Sequence, residues 1–100
     1  MAKGYWIAQV EVSNPDGYKQ YVAMLPDVLR KFGGRYVTRG GKTEIVEGKS
    51  RSRVVVLEFP SYEAALECYR SPEYATAKAQ RQTAADADLI VIEGYDGPQP

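Results

Sequence analysis

Near the middle of the chain Arg53 to Phe59 reads Arg-Val-Val-Val-Leu-Glu-Phe, and towards the end Leu89 to Glu93 reads Leu-Ile-Val-Ile-Glu. Side chains of a strand alternate between the two sides of a sheet, so Val54 and Val56 go to one face and Val55, Leu57 and Phe59 to the other. Strands apolar on both faces must be covered on both. This limits the fold more than any other feature, because a single layer of helices shields only one side of a sheet. Two or three aliphatic side chains left in water would cost roughly 2 kcal/mol each relative to burial. A second copy of the chain is the economical cover, and a homodimer through the sheet face is expected.

The other elements follow from periodicity and capping. Trp6, Ala8, Val10 and Val12 alternate with Tyr5, Ile7, Gln9 and Glu11, which is a strand with one apolar face. Asn14, Pro15 and Asp16 then supply a cap, a first-turn proline and a first-turn acid for a helix. Its stripe is Tyr18, Tyr21, Val22, Leu25, Leu29 and Phe32, and Gly33 with Gly34 ends it. Pro26 interrupts the stripe and predicts a kink or two short helices in line. Arg35 to Arg39 reads as a short strand, Gly40 and Gly41 as a turn, and Thr43 to Glu47 as a returning hairpin arm before a polar loop. Ser61 opens a second helix with the stripe Tyr62, Ala65, Leu66 and Tyr69. Ser71, Pro72 and Glu73 start a third, alanine-rich and running to about Asp86.

The order predicts an α+β fold of the ferredoxin-like, split βαβ type: an antiparallel sheet with helices on one face and the first and third strands central. With 100 residues and 44% apolar content, residues 1–96 are expected to form a single ferredoxin-like domain, with 97–100 as a flexible C-terminal tail.

Charge and cysteine usage exclude several classes. Thirteen basic residues balance thirteen acidic ones, so no global field draws nucleic acid or an anionic membrane. A local excess of six positive charges between Arg30 and Arg53 supplies at most non-specific affinity, and no nucleic-acid partner is expected. The longest apolar run, Val54 to Leu57, falls far short of the ~20 residues that cross a bilayer, so no membrane association is expected. Cys68 stands alone and the N-terminus carries no secretory pattern, which reads as a reduced, cytoplasmic protein with Cys68 as a small buried hydrophobe. The sequence has no histidine. That removes imidazole-based triads and histidine-ligated haem, and neither a metal nor a cofactor is expected.

Six segments, KGYWIA at Lys3, YKQY at Tyr18, KFGGRYVTRGG at Lys31, VVLEFPS at Val55, YRSPEY at Tyr69 and RQTAADADLIVIEG at Arg81, together resemble a small bacterial family, domain of unknown function 1330. The resemblance implies the dimeric α/β-barrel superfamily, in which two ferredoxin-like protomers pack sheet to sheet and each holds a cavity between sheet and helices. That superfamily spans cofactor-free monooxygenases, an isomerase and haem-dependent members, so the fold alone selects no chemistry.

The candidate ligand-binding residues are Trp6, Arg35, Arg39, Glu58, Tyr74 and Arg81. Arg35 and Arg39 are expected on one face of one strand, where two guanidiniums could clamp a carboxylate, with surface ion pairing as the plainer reading. Tyr74, Lys78, Arg81 and Ala85 make a helical stripe that is polar where a core stripe would be apolar. Trp6 reads as core packing or as a stacking surface for a ligand. Glu58, between Leu57 and Phe59, should either have a raised pKa or pair with Arg53 or Arg35. Asp86 and Asp88 read as caps at a helix-to-strand junction. These residues suggest a dimer that binds a small organic acid or aromatic metabolite between sheet and helices, Arg35 and Arg81 holding the anion, with cofactor-free acid-base or oxygenase chemistry as an extension. The alternative is a non-enzymatic assembly or stress-associated module. No catalytic residue is assigned.

Overall fold

The alternation in the first segment produces strand β1 (Gly4–Val12), and Asn14 caps helix α1 (Pro15–Phe32) by accepting the Gly17 amide at 3.2 Å. The computed structural model describes residues 2–100. Helix α1 ends at Gly33, whose φ of +74° is the left-handed stop that glycine supplies. Strands β2 (Arg35–Arg39) and β3 (Arg53–Phe59), helices α2 (Tyr62–Arg70) and α3 (Pro72–Gln82), and strand β4 (Ala85–Glu93) complete the order. The sheet runs β2-β3-β1-β4, every neighbouring pair antiparallel, with the first and third strands central. This is the ferredoxin-like α+β arrangement.

Strand register settles the two faces. Trp6 pairs with Leu57 and Val91, Ala8 with Val55 and Leu89, and Val10 with Arg53 and Ala87, which together form the floor beneath the helices. Upon it rest Tyr18, Tyr21, Leu25, Val28 and Leu29 of α1, Ala65 and Cys68 of α2, and Tyr74 and Ala77 of α3, all buried in one core. The opposite, open face carries Ile7, Val54, Val56, Ile90 and Ile92. Ile90 and Ile92 are 56% and 46% exposed.

Four details depart from the sequence reading. Helix α1 runs as one element through Pro26, because the proline sits on the exposed side, where water satisfies the carbonyl that loses its donor. The hairpin arm Thr43 to Glu47 does not form: β2 pairs directly with β3, and residues 41–52 are an irregular, largely exposed connection. Helix α3 stops at Gln82 rather than near Asp86, since Ala85 and Ala87 alternate into the core as the start of β4. Asp86 and Asp88 are therefore open-face strand residues rather than caps, paired across the sheet with Glu11 and Gln9. Among the described residues no helix is long and apolar enough to cross a membrane.

Candidate functional site

Between the sheet and helix α1 the side chains leave a void. Its floor is Trp6, Ala8, Val10, Val55, Leu57, Ala87 and Leu89, its roof is Tyr18, Tyr21 and Leu25, and Arg81 of α3 closes one side. Small residues make the room: Ala8 and Ala87 lie on the floor where larger side chains would fill the space. The empty space amounts to about 360 Å³ out to the opening, of which about 30 Å³ can take the centre of a water molecule. That is enough for a water or two, and a larger guest must displace side chains.

Arg81 dominates the chemistry of this space. It is buried, with 7% of its surface exposed, and its Nε has no hydrogen-bond partner. Among the described residues no carboxylate lies within 4.0 Å of it. Its neighbours are phenols. The guanidinium carbon stands 5.8 Å from the centre of the Tyr21 ring, and the Tyr21 and Tyr74 hydroxyls are 2.9 Å apart. Burial works against the charge on Arg81, but the hydroxyls of Tyr74, Tyr21 and Tyr69 offset it and hold its pKa above the ordinary arginine value. Burial, with Tyr74 alongside, pushes the Tyr21 phenol well above its usual range, so it is a neutral hydrogen-bonding group.

Secondary structure fixes this arrangement. Ser71 accepts the Tyr74 amide at 3.1 Å and donates to the Cys68 carbonyl at 2.7 Å, joining the end of α2 to the start of α3. Tyr74 and Arg81 lie two helical turns apart on the buried side of α3, with Ala77 between them. The polar stripe of that helix thus turns inward. Lys78 instead lies over Tyr69 at 5.0 Å.

The remaining candidates do not meet at this space. Trp6 lines it, yet it is a core residue, 1% exposed, its Nε1 donating to the Ala65 carbonyl at 2.8 Å and its ring packed against Phe59 and Tyr74. Arg35 and Arg39 do not share a face, because the ladder of β2 slips between Tyr36 and Thr38, setting Arg35 opposite Glu58 and Arg39 opposite Val55. Arg39 lies on the helix-side face of the sheet, exposed, over the Tyr36 ring at 4.8 Å. Arg35 faces the open side, so it and Arg81 cannot hold one anion. Glu58 is on the open face too, 3.8 Å from both Arg35 and Lys3 and 3.4 Å from the Tyr5 hydroxyl. Of its two expected partners only Arg35 is available, since Arg53 points to the other face.

Of the residues absent from the candidate set, Tyr18, Tyr21 and Arg53 matter more. Tyr18 and Tyr21 were assigned to the apolar stripe of α1, where a phenol and a core aromatic look alike. Arg53 has the parity of Val55 and Leu57, a signal that places it under the helices once the register is counted from Leu57. Cys68 is fully buried, and burial pushes its thiol up to about 12, with Glu73 adding to the shift. Among the described residues no three His, Cys, Asp or Glu side chains cluster as metal ligands would.

A family model described as Domain of unknown function (DUF1330) matches residues 3–95. The chain belongs to this family. RPA0582 from Rhodopseudomonas palustris, a protein of unknown function, is similar in structure with a TM-score of 0.72 and 24% identity, over 96% of this chain and 85% of that one. SnoaB, a cofactor-independent oxygenase from Streptomyces nogalater, superposes with a TM-score of 0.65 at 9% identity over 97% of both chains. A dimeric ferredoxin-like protein of unknown function from Thermobifida fusca gives 0.55 at 13% identity over 92% of this chain and 91% of that one. Among curated proteins none matches. At these identities the structural likenesses establish the fold.

Proposed function

We propose that this DUF1330 protein binds a small organic acid in the void between sheet and helices, with the acid group on Arg81. The observation that carries the reading is the buried guanidinium with an unpartnered Nε and no carboxylate near it. The buried Nε–H is left without an acceptor, and an external anion would supply one through a charge-assisted hydrogen bond. The apolar floor suits a carbon skeleton, and the limited volume favours a short aliphatic acid over an aromatic one. The polar side chains lining the space are Tyr18, Tyr21 and Arg81. That set supports binding rather than proton abstraction, and the likeness to a cofactor-independent oxygenase extends to fold alone.

A homodimer through the open face belongs to the same reading, supported by the exposed Ile90 and Ile92 beside Ile7, Val54 and Val56. The test of the ligand is calorimetric titration with butyrate and pentanoate, on the wild-type protein and on Arg81→Met. Binding that falls at least tenfold in the variant supports the proposal. Absence of binding by the wild-type protein, or equal binding by both, overturns it.

A further inference from the structure

On its β2 side the void is bordered by a second set of polar groups: strand register sets Arg53 beside Val10 and Arg39 beside Val55, both of which line the space. Tyr18 and Val55 wall the cavity on that side. Arg53 stands over the Tyr18 ring, its guanidinium carbon 5.4 Å from the ring centre, and Arg39, opposite Val55, stands over Tyr36. The Nε of Arg53 and the hydroxyl of Tyr36 are both buried and without a hydrogen-bond partner. Neither Arg39 nor Arg53 has a carboxylate within 4.0 Å among the described residues. Arg53 also has space made for it: a Cβ at Gly40 would lie 2.3 Å from its Nη1 and 2.7 Å from its guanidinium carbon. Burial raises the Tyr36 phenol against the opposing pull of Arg39 and Arg53, which keeps it a neutral donor.

Three guanidinium–tyrosine pairs thus stand in or beside the cavity: Arg81 on Tyr21 in its wall, Arg53 on the lining Tyr18, and the exposed Arg39 on Tyr36 next to them. The Tyr18 and Tyr21 rings are in contact, their centres 5.5 Å apart. Two positive ends joined by an apolar floor of Val55, Leu57, Ala8 and Leu89 match a molecule charged at both ends with carbon between. From this geometry we infer that the ligand is a short dicarboxylic acid, one carboxylate on Arg81 and the other on Arg53 and Arg39 with the Tyr36 hydroxyl. A planar guanidinium recognises a carboxylate in two-point fashion, which a hydrated surface lysine does not. The inference rests on the cavity reading above and narrows it from acids in general to diacids.

Matched pairs that differ only in the second acid group separate the two claims: butyrate against succinate, and pentanoate against glutarate. Titrated calorimetrically at one ionic strength, at least one diacid should bind about tenfold or more tightly than its monoacid partner. Arg53→Met and Tyr36→Phe should erase that advantage while leaving monoacid affinity unchanged, and Arg53→Lys should restore only part of it. Arg81→Met should weaken both members of each pair. If monoacids bind through Arg81 and the diacids gain nothing, or if Arg53→Met weakens both alike, the second anchor is overturned and the cavity reading stands. If neither class binds the wild-type protein, both readings fail together. Circular dichroism of each variant separates a lost contact from a lost fold.

Discussion

Arg81 is the residue whose energetics and purpose pull in opposite directions. A buried guanidinium whose Nε–H has no acceptor contributes little to folding, and methionine keeps much of its length without the unmet donor. Arg81→Met should therefore raise the stability of the unliganded protein by about 0 to 2 kcal/mol, read from urea unfolding, while it removes acid binding. A loss of stability beyond that range would assign Arg81 a structural role among Tyr21, Tyr69 and Tyr74 instead. Cys68 makes a separate prediction. Its thiol is fully buried and pushed up to about 12 from an ordinary 9.0. In the unfolded chain the thiol ionises near its ordinary value, so above that pH the unfolded state holds fewer protons than the folded one and stability falls. The buried Tyr21 phenol, also raised, acts in the same direction. Stability should hold level through neutrality and decline above about pH 9, with Cys68→Ala flattening the first part of the decline. A decline of equal size in that variant would remove the thiol as a cause.

At the scale of elements, Ser71 is the joint on which the site turns. Its hydroxyl donates to Cys68 and accepts from Tyr74, and the residue is buried. Ser71→Ala leaves the Tyr74 amide short of a partner with little water to replace it, while the Cys68 carbonyl keeps the backbone N–H of residue 71, and should cost about 1 kcal/mol in unfolding free energy. Because Tyr74 sits three residues on and its hydroxyl touches that of Tyr21, acid affinity should fall as well. A variant as stable as the wild type would show the joint to be dispensable. Elements of this kind were legible in the sequence wherever a cap or an alternation stood clear, as at Asn14, Ser61 and Ser71. The failures share a cause. Residues Thr43 to Glu47 hold the β-branched residues of a strand, but a strand exists only as part of a ladder, and β2 pairs with β3 while its outer edge stays open. Likewise the site could not be read from β2 alone, because a slip of one position between Tyr36 and Thr38 puts Arg39, still exposed, on the helix-side face and leaves Arg35 on the open one.

On the scale of the whole molecule, the helices cover one face of the sheet and leave apolar side chains exposed on the other, Ile90 and Ile92 above all. Ile7, Val54, Val56, Ile90 and Ile92 form an apolar centre on the open face. Towards one end lie Lys3 and Arg35 around Glu58, and towards the other Glu11, Asp86 and Asp88 with Arg51, which pairs with Asp88 at 2.9 Å. A two-fold axis lying in the interface and crossing the strands sets the basic end of one copy over the acidic end of the other. A second copy thus answers both the apolar centre and the charges around it. Ile90 is the place to test this, since it is half exposed in the protomer and a lysine there disturbs the protomer's own folding by no more than about 0.5 kcal/mol. Association would instead bury that charge in an apolar contact, a far larger penalty. In sedimentation velocity at micromolar concentration the wild-type protein should run as a dimer and Ile90→Lys as a monomer with unchanged circular dichroism. A wild-type monomer under those conditions would overturn the homodimer, and a dimer that survives the lysine would place the contact elsewhere on the surface.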